Sequence, residues 1–155
     1  MDRFVGIGEF IISNNREDII KTFALASCVA VTAYCSPSKV AGMIHIALPS
    51  PPYDIDINAR PGYYATSGLP LFINKMCSEY GCSKKDLKID LYGGSNSING
   101  DVFQIGKKNI AMVKKILMNM NLLYNIDETG GNISRTLAMD VATGKVKIIK
   151  QPIRI

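Results

Sequence analysis

The chain has 155 residues, of which 47% are hydrophobic, and its formal net charge is +5. This length and composition suffice for a substantial core, and no Pro/Gly/Ser-rich linker divides the chain, so we expect a single domain over residues 1–155. The lysines are dispersed rather than interleaved with aromatic residues, which argues against nucleic-acid binding.

The sequence also contains no run of about 20 apolar residues that would predict a membrane-spanning helix. Its amino terminus lacks the basic segment followed by an apolar run that marks a secretory signal. These features predict a cytoplasmic protein without membrane insertion. Its four cysteines, Cys28, Cys35, Cys77 and Cys82, are then expected to be reduced.

The amino-terminal third is rich in strand-forming residues. Phe4–Ile12 predicts an opening strand that contains two glycines, and Ile19–Phe23 predicts a short strand leading towards Cys28. Val29–Tyr34 and Val40–Leu48 are β-branched and apolar, and the residues between them favour a turn. The two segments therefore predict a β-hairpin.

The hairpin turn sets the register between these two strands. If residues 36–39 form a type I turn, Ser36 faces Lys39 and Cys28 faces Ala47. His45 is then the diagonal neighbour of Cys28 on the same face of the sheet, with roughly 5 to 8 Å between the β-carbons. A shift of one residue would place the two side chains on opposite faces, so the prediction depends on the turn.

The remaining segments predict a mixed α and β architecture. Prolines between Pro49 and about Gly62 predict a long loop. The elements expected after it are an amphipathic helix from Thr66 or Ser67 to Tyr80 ended by Gly81, a strand Leu87–Tyr92, a helix Ile105–Met120, a strand Leu122–Ile126, and a closing hairpin of Ser134–Val141 and Lys145–Ile149.

The chemistry is limited by the presence of one histidine. A cysteine nucleophile needs a nearby base to become a thiolate at neutral pH, and His45 is the only imidazole that could serve Cys28. No tight C-x-x-C pair is present, so neither a metal site nor a cofactor is expected. The alternative for each residue is an ordinary role, Cys28 as a small buried apolar side chain and His45 as a core residue.

Six sequence motifs occur in the same order as in a known family. They are Gly6–Glu9, Thr22 with Leu25–Val31, His45–Pro49, Gly93–Gly94, Ile105–Asn109 and Glu128–Asn132. On these motifs the chain resembles the chemoreceptor glutamine deamidases, CheD, over about residues 6–146.

The resemblance implies a protein-glutamine deamidase of chemotaxis that converts glutamines of chemoreceptors to glutamates and releases ammonia. It implies an α+β fold, a mixed β-sandwich flanked by helices like that of the toxin deamidases. Matched motif by motif, the family's catalytic cysteine falls on Cys28, its histidine on His45 and its orienting residue on Thr22.

A mechanism follows from these assignments. A thiolate at Cys28, favoured by a neighbouring imidazolium, would attack the glutamine amide, and backbone N–H groups at Ser27 and Cys28 would stabilise the oxyanion. The Thr22 hydroxyl would accept a hydrogen bond from the other ring nitrogen of His45. Tyr64 and Asn132 are expected to border the pocket, with helix packing and turn geometry as their respective alternatives.

The chain departs from the family at the cysteine loop, where Ala24 and Ala26 stand at positions that are usually glycine. If those positions need positive φ, alanine would strain the loop. This departure leaves an alternative open, an adaptor that binds receptors or a CheC-type phosphatase with little or no catalysis. Methylesterase activity through the same acyl-enzyme is a secondary possibility.

Overall fold

The structure is a computed structural model, and it describes residues 1–52, 58–96 and 103–153. Within these ranges it contains nine strands and two α-helices. The strands are β1 Asp2–Phe4, β2 Phe10–Ser13, β3 Ile19–Leu25, β4 Val29–Cys35, β5 Val40–Ile46, β6 Leu87–Gly93, β7 Tyr124–Thr129, β8 Ile133–Asp140 and β9 Val146–Pro152; the helices are α1 Ala65–Tyr80 and α2 Ile105–Asn119.

The strands form two mixed sheets. The four-stranded sheet has the order β1-β3-β8-β9, and the five-stranded sheet has the order β2-β5-β4-β6-β7. The β1–β3 and β6–β7 pairs are parallel, and the other pairs are antiparallel. Consecutive strands β3 and β4 lie in different sheets, so the short segment between them passes from one sheet to the other.

The side chains of the five-stranded sheet alternate between two hydrophobic clusters. On one face, Ala30, Met43 and Tyr92 pack with Ile20 and Leu137 of the four-stranded sheet, which makes the two sheets a sandwich. On the other face, residues of β4, β5 and β6 pack against both helices. The predicted α+β architecture, a mixed β-sandwich flanked by helices, is confirmed.

The helices bury the residues that the apolar periodicity indicates. Leu69, Phe72, Ile73 and Met76 of α1 are fully buried, and the helix ends at Gly81, whose φ of 71° is the left-handed conformation that glycine adopts easily. No side chain caps the amino terminus of α1, which begins at Ala65, just before the expected Thr66 or Ser67. Within the described residues, no helix is long and apolar enough to cross a membrane.

The predicted hairpin and its register are confirmed. Cys35 pairs with Val40 and Val29 pairs with Ile46, which leaves residues 36–39 as the turn and continues to Cys28 opposite Ala47. Ala30 pairs with His45, and both lie on the sandwich face of the sheet. The side chain of Cys28 also packs against the sandwich cluster. Cys28 and His45 therefore face the same side of the sheet, as predicted.

The prediction of a single opening strand over Phe4–Ile12 is wrong. The segment forms two strands in different sheets, since β1 pairs with β3 while β2 pairs with β5. The chain turns at residues 6–9, where Gly8 has a φ of 80°. The glycines mark this crossing between sheets rather than a bulge within one strand.

Other boundaries differ by a few residues. The strand expected at Leu122–Ile126 begins at Tyr124 and extends to Thr129, because Leu122 packs with the helices as the chain leaves α2. In the predicted loop from Pro49 to Gly62, residues 53–57 lie outside the described residues, and Pro61–Tyr63 forms a 3-10 turn.

Candidate active site

A hydrogen bond between Thr22 and His45 joins the two sheets inside the sandwich. Thr22 lies on β3 and His45 on β5, and both side chains are buried. The Thr22 hydroxyl oxygen is 2.8 Å from Nδ1 of His45. The contact links two residues that are 23 positions apart in the chain.

The same hydroxyl fixes the tautomer of the ring. Thr22 donates its single hydroxyl proton to the carbonyl oxygen of Val5, at 2.8 Å. It can then only accept from His45, so Nδ1 carries the proton of the neutral ring. Nε2 is left with a lone pair. A histidine held in this tautomer can act as a general base through Nε2.

The other atoms of His45 are held or buried. Its backbone N–H donates to Glu9 and its carbonyl accepts from Gly8, at 3.0 and 2.8 Å. Nε2 is buried and has no hydrogen-bond partner among the described residues. Burial lowers the pKa of His45 to about 4. An unpaired buried acceptor is costly to a fold, so Nε2 is a candidate for function.

Cys28 lies at the end of the segment that joins β3 to β4, and it is half-buried. Burial raises the pKa of its thiol and lowers that of His45, so the pair is neutral at pH 7. This differs from the thiolate and imidazolium expected from the sequence, because desolvation disfavours both charges. The arrangement suits a thiol that loses its proton to Nε2 as it attacks.

The cysteine loop, residues 26–28, is held by its carbonyl groups. The carbonyl of Ala26 accepts from the Ser95 backbone at 2.7 Å, and that of Cys28 accepts from Gly94 at 2.8 Å. Among the described residues, the N–H groups of Ser27 and Cys28 have no acceptor. Free N–H groups beside a nucleophile are the donors that stabilise an oxyanion.

The third carbonyl of the loop is held by a residue to which sequence reasoning gave no role. Asn109 on α2 is fully buried, and its Nδ2 donates to the carbonyls of Ser27 at 2.9 Å and Ala47 at 3.0 Å. It thereby joins the cysteine loop to the end of β5. A polar residue on the otherwise apolar buried face of an amphipathic helix was the available signal.

Two glycines allow the segment after β6 to approach the cysteine loop. A Cβ at Gly93, where φ is 100°, would lie 2.3 Å from the carbonyl oxygen of Cys28. A Cβ at Gly106 would lie 2.3 Å from the carbonyl oxygen of Ser95. Neither position has room for a side chain. The close backbone approach explains both glycines.

Buried Arg135, also without a predicted role, supports this segment from the four-stranded sheet. Its guanidinium donates to the Gly93 carbonyl at 3.3 Å and to the Ser95 hydroxyl at 3.0 Å, and it pairs with Glu128 at 2.9 Å. The charge is therefore paired and hydrogen-bonded, as a buried guanidinium must be. The segment that holds the cysteine loop is itself fixed.

Ala24 adopts a left-handed conformation, with a φ of 53°. It lies in an irregularity of the β3–β8 pairing between Thr22 and Leu25, where its N–H donates to Thr136. A residue in this position of a bulge is ordinarily glycine. The expected strain is thus present at Ala24, whereas Ala26 does not have positive φ.

The other two predicted pocket residues have structural partners. Tyr64 is buried at the start of α1, and its backbone forms a bridge with Leu48 just beyond β5. Asn132 is exposed in the turn between β7 and β8, and its carbonyl accepts from Ile153. These contacts fit the helix-packing and turn alternatives, and neither residue is hydrogen-bonded to Cys28 or His45.

The described residues do not provide a cluster of side chains for a metal ion. In residues 1–52, 58–96 and 103–153, no three His, Cys, Asp or Glu side chains are grouped closely enough to do so. The candidate site comprises Cys28, His45, Thr22 and the backbone around the cysteine loop. Its parts can supply a nucleophile, a base and oxyanion donors.

Comparisons with known proteins agree on one family. The family model described as CheD chemotactic sensory transduction matches residues 47–150. Two relatives are each 40% identical, over 94% and 95% of this chain and 91% and 93% of their own. They are "Probable chemoreceptor glutamine deamidase CheD 1" of Syntrophus aciditrophicus and "Probable chemoreceptor glutamine deamidase CheD" of Syntrophotalea carbinolica.

A more distant relative carries the same name without the qualifier. The "Chemoreceptor glutamine deamidase CheD" of Thermotoga maritima is 30% identical over 97% of this chain and 92% of its own. Among solved structures, Bacillus licheniformis hypothetical protein YfiH overlaps with a TM-score of 0.49 and 11% identity, over 77% of this chain and 49% of that one.

Proposed function

This chain belongs to the CheD family, and we propose that it is a chemoreceptor glutamine deamidase in which Cys28, His45 and Thr22 carry the reaction. The relatives that name this activity match nearly the whole chain, including the segment of Cys28 and His45 that precedes the family-model match. The observation that carries the proposed chemistry is the His45 ring, whose Nδ1 is bound to Thr22 and whose Nε2 is buried without a hydrogen-bond partner in the described part of the chain.

The first half of the reaction forms a thioester. Nε2 of His45 takes the Cys28 proton as the sulfur attacks the side-chain carbonyl carbon of glutamine. The carbonyl oxygen becomes an oxyanion, which accepts hydrogen bonds from the N–H groups of Ser27 and Cys28. When the C–N bond breaks, His45 returns the proton to the leaving nitrogen, and ammonia departs.

The second half hydrolyses the thioester. His45, neutral again, takes a proton from a water molecule as its oxygen attacks the acyl carbon. The C–S bond breaks, the sulfur recovers a proton from His45, and glutamate is released. In both halves the Thr22 oxygen accepts from Nδ1, which stabilises the ring while it is cationic.

The substrate and location belong to the same proposal. The relatives' names specify chemoreceptors, so the expected substrates are glutamines on the cytoplasmic helices of those receptors. A thiol nucleophile works only while it is reduced, and the cytoplasm keeps thiols reduced. The strain at Ala24 is the observation that favours the alternative, an adaptor that binds receptors or a CheC-type phosphatase with little catalysis.

Mass spectrometry of receptor fragments separates the two functions. Wild-type protein should convert particular glutamines to glutamates, a mass gain of about 1 Da per site, and Cys28→Ala should not. Cys77→Ala is the matched control, because Cys77 is also half-buried but lies on α1. Binding of the fragments without conversion by the wild type would support the adaptor instead.

A further inference from the structure

The buried side chain of Asn109 is not explained by packing alone. The described residues contain two buried side-chain atoms without a hydrogen-bond partner, Nε2 of His45 and Oδ1 of Asn109. Asn109 contacts the cysteine loop, because its Nδ2 donates to the Ser27 carbonyl, and His45 faces the same side of the sheet as Cys28. An unpaired buried amide oxygen costs free energy, so we expect the hydrogen bonds of the amide nitrogen to have a role that offsets this cost.

The partners of the amide fix its orientation. Nδ2 faces two carbonyl oxygens, those of Ser27 and Ala47, at 2.9 and 3.0 Å. Oδ1 cannot take its place, because an oxygen there would meet two acceptors. The amide therefore joins Ser27, which precedes the nucleophile, to Ala47, which lies two residues after His45.

Peptide planarity converts this contact into a direction for the next N–H. The structure has no cis peptide bond among its described residues, so the Ser27 carbonyl and the Cys28 N–H point in opposite directions. Asn109 draws the carbonyl towards α2, which lies on the helix side of the five-stranded sheet. The Cys28 N–H then points to the other side, where its own side chain and His45 lie.

We infer that Asn109 is a positioning residue that orients the Ser27–Cys28 peptide so that the Cys28 N–H donates to the oxyanion. The inference rests on the proposed function and assigns a residue that acts through the backbone rather than on substrate. The neighbouring carbonyls of Ala26 and Cys28 accept from the backbone of Ser95 and Gly94, so Asn109 is the only described residue whose side chain restrains a loop carbonyl.

Two reagents distinguish oxyanion binding from thiol reactivity. A peptide with an aldehyde in place of the glutamine amide forms a hemithioacetal: the Cys28 sulfur bonds to the aldehyde carbon, and the thiol proton passes to the carbonyl oxygen. That oxygen occupies the oxyanion position. Iodoacetamide instead alkylates the sulfur at a saturated carbon with loss of iodide, and no oxyanion forms.

Asn109→Ala should separate these two reactions. We expect about 100-fold weaker aldehyde binding and a similar fall in kcat for deamidation, the size of effect seen when an oxyanion donor is lost. Alkylation of Cys28 at pH 8.5 should stay within about twofold of wild type, because the thiol keeps its base. Asn109→Gln, which keeps the donor, should recover part of the aldehyde affinity.

Val113→Ala is the matched control, since Val113 is fully buried one turn later on the same face of α2. The inference is overturned if this variant weakens aldehyde binding as much as Asn109→Ala. It is also overturned if Asn109→Ala slows alkylation in parallel with deamidation, since the side chain would then place the thiol itself.

A measurement on the wild-type protein needs no variant to fold. In 15N–1H spectra, the Cys28 amide proton should move downfield when the aldehyde binds, because it gains a hydrogen bond to the hemithioacetal oxygen. An unchanged Cys28 amide contradicts the inference. These aldehyde and NMR results do not depend on glutamine turnover, so failure of the proposed deamidase function would be seen separately, as a wild type that binds the aldehyde but converts no glutamine.

Discussion

The two ends of β4 each carry a cysteine, and their surroundings differ. Cys28 precedes the strand on the sandwich face, whereas Cys35 ends it on the helix face, packed with Cys82. At the Cys35 end, burial raises the pKa of Cys82 to about 12, and the Ser38 hydroxyl donates to the Cys35 sulfur at 3.2 Å.

Burial raises the pKa of Cys28 and also that of Cys82, so burial does not by itself indicate a nucleophilic thiol. What distinguishes Cys28, within residues 1–52, 58–96 and 103–153, is a histidine whose Nε2 has no partner and a loop whose carbonyls are hydrogen-bonded while the N–H groups of Ser27 and Cys28 are not. The chain's one histidine serves that end. The groups around Cys28, and not the burial of its thiol, are therefore what favour a nucleophile at this end of β4.

The largest effect is expected when serine replaces the cysteine at each end of β4. Cys28→Ser should lower kcat/KM for deamidation at least about 10³-fold, because a serine hydroxyl is a far poorer nucleophile with the same base. Cys35→Ser should leave kcat/KM within about twofold but reduce the free energy of unfolding by about 1–2 kcal/mol, since it adds a polar group to a packed core. Steady-state kinetics and urea titration measure the two quantities, and equal losses of activity would remove the distinction.

The second prediction concerns the pH dependence of stability at the Cys28 end. His45 has a pKa of about 4 in the fold, below the ordinary 6.5 of an exposed histidine. As pH falls from about 6.5 towards 4, the unfolded chain therefore binds a proton that the folded chain does not. The free energy of unfolding should fall by about 3 kcal/mol across this window and be fully restored above it.

Urea titration between pH 7 and 5 tests this, because the carboxyl groups with lowered pKa values, Asp18, Asp127 and Glu128, titrate below that range. A His45→Gln variant should show a flat profile there. The deamidation rate should likewise persist down to about pH 5, since the base stays neutral. An acid limb near pH 6.5 would show that the base titrates like an exposed histidine and is not held neutral by burial.

Much of this end was accessible from the sequence because its determinants are local. The turn at residues 36–39 and the β-branched flanks fixed the hairpin register, and that register places Cys28 and His45 on one face. The strain at Ala24 was also predictable once the position was matched to a glycine. In each case, a few adjacent residues carry the information.

The missed features depend on contacts between distant parts of the chain. The opening segment reads as one strand from its local pattern. That pattern does not indicate the backbone hydrogen bonds by which Gly8 donates to His45 and His45 donates to Glu9. Asn109 is 82 residues from Ser27, and nothing in its helical periodicity indicates which carbonyl it binds. Long-range pairing decides these cases, and local propensity does not.

The third prediction tests whether the restraint on His45 matters as much as its presence. Thr22→Val removes the hydroxyl and leaves the buried Nδ1–H unpaired, which should cost about 1–3 kcal/mol in stability. The rate should fall about 10- to 100-fold because the ring loses its fixed tautomer. Thr22→Ser should retain most activity.

Thr32→Val is the matched control, since Thr32 is equally buried on β4 but contacts Tyr92. If both valine variants lose the same activity at equal stability, Thr22 has no special role at the site. A loss of deamidation rate confined to Thr22→Val, together with a shifted pH profile, would show that the hydroxyl bound to His45 supports the reaction.

The smallest effect is expected from relieving strain at Ala24. Its φ of 53° costs an alanine about 1 kcal/mol relative to glycine, so Ala24→Gly should raise the free energy of unfolding by up to that amount. Ala26→Gly, two residues later and without positive φ, should not stabilise and should loosen the loop slightly. If Ala24→Gly also raises kcat, the strain weakens the wild-type enzyme. If only stability rises, the strain is confined to the bulge in β3. The carbonyl contacts of residues 26–28 then hold the nucleophile in place independently of that strand.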